Sequence, residues 1–285
     1  MSDRAILSDS ELKTPSGRVY YLIALSVLIL LALVTIFPFF FAFTSGLKNN
    51  IEIFRSGLNL FPETALWENY KEVWVRFDLF RLLMNSFIVV GGGVIGQLVV
   101  SAAAAYALSQ LDPPGGRWIM MGFLLTLMIP GISYIVPQYL VIKDLNLLNS
   151  YWGVWLPYTI SPFAIFVLKT FFDRIPRDII DSARVDGATT IQIFWSIILP
   201  LSRSILIVIC IVAFVNLWKD FLLPLLVITD PKYQPITVRL IYLTSRYGVN
   251  LQMAASFIGL LPPLLIALFM QRYMTVGLTM GSVKG

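Results

Sequence analysis

Few residues in this chain are of a type and spacing to do chemistry, and the most suggestive of them stand in the wrong surroundings. Gly91-Gly92-Gly93-Val94-Ile95-Gly96 spells G-x-G-x-x-G, with Asp112 further on. With that spacing a glycine turn cradles a dinucleotide pyrophosphate. The fingerprint needs a strand before it and a soluble unit around it, whereas residues 85–108 are apolar or small throughout. Nucleotide binding is therefore set aside. The chain has no His and a single Cys, Cys210. That excludes zinc frameworks, His-based triads and internal disulfides, and Cys210, in an apolar run, reads as packing. No G-x-x-x-x-G-K-[ST] occurs, so the chain carries no P-loop for hydrolysing ATP. Lys219 and Asp220 fall near the end of an apolar run. Charge is costly in lipid, so they should face water, a cavity or each other.

The elements that position these groups follow from composition. With 58% hydrophobic and 13% charged residues in 285, the chain has too little polar surface for a soluble globule. The expected fold class is all-α, a polytopic membrane protein with six transmembrane helices. Runs able to cross roughly 30 Å of hydrocarbon occupy about 20–45, 85–108, 118–142, 151–172, 204–228 and 255–274. Residues 1–19 form a polar tail, 20–274 the six-helix domain with an insert over 173–203, and 275–285 a second tail. Pro38 is expected to kink the first span, and Pro130, Gly131 and Pro137 to bend the third. Residues 46–84 and 229–254 read as polar loops, the first with Trp67, Tyr70 and Trp74 as interface anchors. Gly92 and Gly96, with 101–105, offer a small-residue surface for close helix approach. The net charge of +5 is spread over loops without a basic stripe, which disfavours nucleic acid. Lys and Arg divide 11 to ten between the two sides, so charge alone does not orient the chain.

Between the fourth and fifth runs lies a partly charged insert, DSARVDGATTIQIFWSIILPLSRS at 181–204. Pro176 and Asp178 signal a helix start, and Gly187 a stop. Ile180, Ala183 and Gly187 share one face, while Arg177, Asp181 and Arg184 can pair in water. Gly187 permits a left-handed turn, T-x-x-Q at 189–192 opens a second helix, and Pro200 interrupts it. A knob of this form fits a groove on a partner. A DNA-binding helix-turn-helix and an elbow lying on the membrane surface are the alternatives, and flanking spans disfavour DNA.

This insert resembles the cytoplasmic loop of the permease subunits of binding-protein-dependent ABC importers, E-A-A-x-x-D-G-A followed by F and I-x-L-P-L. Asp181, Ser182, Ala183, Asp186, Gly187, Ala188 and Phe194 occupy the matching positions, with Asp181 for Glu and Ser182 for Ala. The resemblance implies that these seven residues form a coupling helix and its support, docking in a cleft of an ATPase subunit. LNLLNSYWGVWLPY, beginning at Leu145, and the ending QRYMTVGLTMGSVKG resemble the carbohydrate branch. W-N-E-F-x-x-P-L is met by Trp218, Lys219, Asp220, Phe221, Pro224 and Leu225, with Lys219 replacing Asn. By resemblance the chain is a multi-pass protein of the bacterial inner or plasma membrane that performs no catalysis and binds no cofactor. Two partner ATPase subunits use ATP and Mg, a homologous permease completes a heterodimer, and an extracytoplasmic solute-binding protein delivers a sugar or oligosaccharide. A non-sugar solute and a secondary transporter are the rival readings. The scarcity of ionisable residues within the spans argues against ion coupling. Sugar paths use aromatic stacking and hydrogen bonds, which makes Tyr106, Tyr134, Asn216 and Trp218 candidates for the solute path.

Overall fold

A backbone in hydrocarbon has no water to bond, so each segment must satisfy its own amides, as a helix does. The computed structural model describes residues 14–55, 59–244 and 246–279, and among them every regular element is helical. The expected tail segments 1–13 and 280–285 lie outside the described residues. In chain order the helices are α1 (Pro15–Gly46), α2 (Asn50–Phe54), α3 (Glu68–Arg76), α4 (Leu79–Tyr106), α5 (Gly116–Thr126), α6 (Ile135–Asp144), α7 (Tyr151–Tyr158) and α8 (Pro162–Phe172). They continue as α9 (Arg177–Val185), α10 (Thr190–Ile193), α11 (Leu199–Leu201), α12 (Arg203–Lys219), α13 (Leu222–Val227), α14 (Ile236–Thr244) and α15 (Val249–Thr279). A π-turn, Ala107–Leu111, prolongs α4, and another, Phe194–Ile198, joins α10 to α11.

Three of these helices, α1, α4 with its π-turn and α15, are individually long and apolar enough to cross a membrane. Three bent pairs qualify jointly: Gly116–Thr126 with Gly131–Asp144 at 99°, α7 with α8 at 45°, and Thr190–Leu201 with α12 at 79°. Taking each pair as one span gives up to six crossings, the expected number.

Boundaries and straightness differ from expectation, for local reasons. α1 starts at Pro15 because the Thr14 side chain accepts the Gly17 amide at 3.1 Å, so 15–19 belong to the helix rather than to a tail. Residues 46–84 are not a plain loop, since they hold α2, α3 and the start of α4, where Asp78 turns at φ +50° and Leu79 and Leu82 are buried. Residues 229–254 likewise hold α14 and the start of α15, and 275–279 continue α15. The fifth span does not run through to 228. α12 stops at Lys219, Asp220 is extended, and its carboxylate accepts the Leu222 amide at 3.0 Å to begin α13.

Contacts divide the chain into two units, 1–73 with 247–257 and 74–246 with 258–285. In the first, Asn69 donates to the carbonyls of Gly46 and Lys48, both at 2.9 Å, and so seals the end of α1. Tyr70 donates to the Phe43 carbonyl at 2.9 Å, and its ring packs against Phe43 and Phe257. Its hydroxyl and ring are both engaged in packing. The Lys48 ammonium is buried, donating to the Asn59 carbonyl and lying 5.9 Å from the Phe41 ring.

In the second unit α4 is the axis, packed against α7, α8, α12 and α14. The glycines at its middle allow this approach. A Cβ on Gly92 would fall 2.1 Å from the Trp155 ring, and one on Gly93 2.8 Å from Leu217 and Tyr158. Trp155 cannot retreat easily, because its indole N–H donates to the carbonyls of Ile88 and Val89 at 3.2 and 3.1 Å. At the N-terminal end of α4, Asn85 donates to the carbonyls of Lys232 and Gln234 at 2.8 and 3.0 Å and accepts the Tyr151 hydroxyl at 3.1 Å. Asn149 similarly accepts the amides of Thr229 and Asp230, each at 2.8 Å. Two side-chain amides thus fasten the segment after α13.

The glycine packing makes a paired prediction. Gly92→Ala overpacks the α4–α7 contact and lowers stability by about 1–3 kcal/mol. Gly91→Ala meets nothing within 4 Å and, gaining helix propensity, is neutral or stabilising by up to about 1 kcal/mol. Thermal unfolding of the detergent-solubilised variants, followed by size-exclusion fluorescence, reads both. Equal melting temperatures for the two would contradict this account of the α4 contact.

Candidate functional site

The insert folds as two arms joined at Gly187. α9 ends in a Schellman motif: the Gly187 amide donates to the Arg184 carbonyl at 3.0 Å and the Ala188 amide to the Ala183 carbonyl at 2.9 Å. Gly187 itself sits at φ +84°, where a side chain would be strained. Thr189 then opens α10 with a complete capping box, accepting the Gln192 amide at 3.3 Å while its own amide donates to Gln192 Oε1 at 2.8 Å. Both caps are those expected from the spacing. Asp181 and Arg184 pair at 3.4 Å on the exposed side, a contact contributing about 0.5 kcal/mol or less.

The arms are cemented to the helices above them. Ile180, Ile193 and Ile198 are buried with Ala102, Ala105 and Tyr106 of α4, Ala164, Leu168 and Phe172 of α8, and Ile209 of α12. Each such isoleucine stabilises the joint by about 1.5–3 kcal/mol. Tyr106 donates its hydroxyl to the Thr190 carbonyl at 3.3 Å and packs on Phe194 with centroids 5.2 Å apart. Gln110 donates to the Phe172 carbonyl at 2.8 Å, tying the end of α4 to the end of α8.

The seven expected coupling residues therefore separate into two groups. Asp181, Ser182, Asp186 and Gly187 are exposed at the tip. Ala183, Ala188 and Phe194 pack on the buried cluster and belong to the root. Two tip residues escaped sequence reasoning, Val185 at 87% exposure and Ile191 at 70%. The signal was an apolar side chain lying off the Ile180–Ala183 face. Exposed apolar side chains on both arms, with Asp181, Arg184 and Asp186 exposed on the first, suit a docking surface.

A second feature lies beside α12. A cavity of about 1060 Å³ is lined by α5, α6, the α7–α8 bend, α12 and the α12–α13 junction. Its polar groups among the described residues are Gln97 and Gln138, Tyr134 and Tyr158, Thr126 and Ser161, Asn216, and Asp220, the one that is charged. The Tyr158 hydroxyl donates to Asp220 Oδ2 at 2.7 Å. Asp220 thus faces the cavity, as a charge within a membrane protein should, while Lys219 is exposed and lines no part of it. Two unit charges of like sign 4 Å apart repel by about 4 kcal/mol at an effective dielectric near 20.

Of the four expected solute-path residues, Tyr134 and Asn216 line this cavity. Tyr106 and Trp218 do not. Tyr106 is turned into the elbow root. Trp218 is buried, its indole N–H bonded to the Gly259 carbonyl at 3.1 Å and its ring 5.4 Å from Phe214 and 5.1 Å from Phe87. A buried indole needs such an acceptor, and here it is found in the core. Among the described residues no group of three or more His, Cys, Asp or Glu could hold a metal ion.

Comparison with known proteins adds to this geometry. Residues 97–276 match the family described as binding-protein-dependent transport system inner membrane component. The sn-glycerol-3-phosphate transport system permease protein UgpE of Yersinia pestis bv. Antiqua is 32% identical over 264 residues, 88% of this chain and 93% of that protein. The arabinooligosaccharides transport system permease protein AraQ of Bacillus subtilis is 32% identical over 277 residues, 95% of this chain and 99% of that protein. A solved structure of a bacterial ABC transporter involved in the import of the acidic polysaccharide alginate has the same fold. It superposes with a TM-score of 0.80 at 21% identity, covering 91% of this chain and 98% of that one.

The turn at Gly187 is testable without any partner. Gly187→Val forces a branched side chain into the left-handed region, at a cost of about 1–2 kcal/mol. Hydrogen exchange at the amides of 183–193 should accelerate about fivefold to thirtyfold, with α7 and α12 unaffected. Unchanged exchange in the elbow would mean that the left-handed cap does not hold it.

Proposed function

This chain belongs to the family of binding-protein-dependent transport system inner membrane components, and on that premise we propose that it moves a sugar or sugar derivative across the bacterial inner membrane, driven by partner ATPases. Permeases of this family are not themselves enzymes. The single observation that carries the coupling half of the proposal is the elbow: an exposed apolar tip at Val185 and Ile191 on arms buried against α4, α8 and α12. A force on the tip is passed to three helices at once, because their shared root has no soft layer to absorb it.

In this reading two ATPase subunits, using ATP and Mg, grip one elbow each, the second elbow belonging to a homologous permease. A solute-binding protein loads the far side. Asp181, Ser182, Asp186 and Gly187 form the contact surface with Val185 and Ile191, and Ala183, Ala188 and Phe194 transmit. Full switching between two access states, from 1:99 to 99:1, needs about 5.5 kcal/mol of differential binding. The joint must be strong enough to carry that energy without shearing. Three buried isoleucines, at the values above, are of that order.

The cavity wall supports transport of a polar solute, since Tyr134, Gln138 and Asn216 offer both ring faces and hydrogen bonds. A phosphorylated polyol is the second reading, favoured by the name of one relative.

Val185→Asp tests the coupling. Val185 is exposed, so the substitution leaves folding and insertion intact. Binding-protein-stimulated ATP hydrolysis by the reconstituted complex is expected to fall at least tenfold. Stimulation at the native level would remove the elbow from the mechanism.

A further inference from the structure

We propose that the cavity beside α12 admits hydroxyl-bearing solutes and turns back phosphates and carboxylates, with Asp220 as the residue that makes the choice. This rests on the importer reading and narrows its substrate class.

Asp220 is the only charged group among the described residues of the wall. Both its oxygens are held, Oδ2 by the Tyr158 hydroxyl at 2.7 Å and Oδ1 by the Leu222 amide at 3.0 Å. The carboxylate is thereby fixed in place, yet it retains acceptor capacity, since its two oxygens offer about four lone-pair sites. A sugar hydroxyl can donate to it. The amides of Gln138 and Asn216 and the hydroxyl of Tyr134, all on the same wall, supply donors and acceptors together. That mixture suits groups that themselves both donate and accept.

An anionic solute meets the opposite situation. The oxygens of its ionised group are acceptors only, that group gains nothing from the Asp220 oxygens, and its charge is repelled by them. The groups that ordinarily receive phosphate or carboxylate are a guanidinium or an ammonium, and neither lines this wall. Lys219, although next in the chain, is not among the lining residues.

The test measures solute contact directly, on the intact membrane complex in nanodiscs without binding protein or nucleotide, so its outcome is independent of the ATPase assay. Saturation-transfer NMR is run with arabinotriose, glycerol 3-phosphate and galacturonate. Arabinotriose is expected to show at least tenfold greater saturation than either anion. Asp220→Asn should shrink the contrast with the anions at least threefold, while Asp220→Glu and Tyr158→Phe, which keep the charge, retain it. Assembly of each variant is checked by size exclusion, and the native contrast alone decides if Asp220→Asn fails to assemble. Anion signals equal to that of arabinotriose, or an Asp220→Asn complex indistinguishable from the native one, would each overturn the proposal.

Discussion

Lipid gives two helices no hydrophobic reason to prefer each other, so contact between them rests on close van der Waals approach and on hydrogen bonds from one helix to the other. In this chain that approach is made where α4 has no side chains, at Gly92 and Gly93, against Trp155 and Tyr158 of α7. Everything functional is hung on the result. With α4 held tightly to α7, its far end can present Tyr106 and Gln110 to the elbow, and α7 can present Tyr158 to the cavity. The glycine run that superficially spells a dinucleotide site is thus a packing surface, and the same absence of Cβ atoms serves a different end.

The elbow and the cavity use polarity in opposite ways. At the elbow root the polar contacts are few and the apolar ones many, which makes a stiff joint in which Tyr106 and Phe194 are interlocked. In the cavity the apolar wall is interrupted by amides, hydroxyls and, among the described residues, a single carboxylate. Tyr158 belongs to the cavity and lies beside the glycine contact as well, so the packing of α4 on α7 sets where the Asp220 carboxylate can be held.

What could be read from the sequence was local. The Gly187 turn and the Thr189–Gln192 box depend on residues within one helical turn, and both appear as expected. The apolar runs were legible for the same reason, being set by hydrocarbon thickness. Facing direction was not. Tyr106 and Trp218 have the chemistry of sugar contacts, but the acceptors that claim their polar atoms, the carbonyls of Thr190 and Gly259, are 84 and 41 residues away. The helices within 46–84 were hidden because pieces as short as α2 and α3 are marginal on their own and exist through tertiary packing. The stop after Lys219 was signalled only by Asp220, whose capping role is indistinguishable in sequence from that of any other charge near a membrane boundary.

The grip of Asn85 on the segment after α13 falls on main-chain carbonyls, those of Lys232 and Gln234, rather than on side chains. A clasp of that kind is blind to residue identity. The path of the main chain there is fixed by two amide groups, while the outward surface of the same segment is left open to rewriting. A scaffold built this way can change the side chains of that segment and keep the clasp.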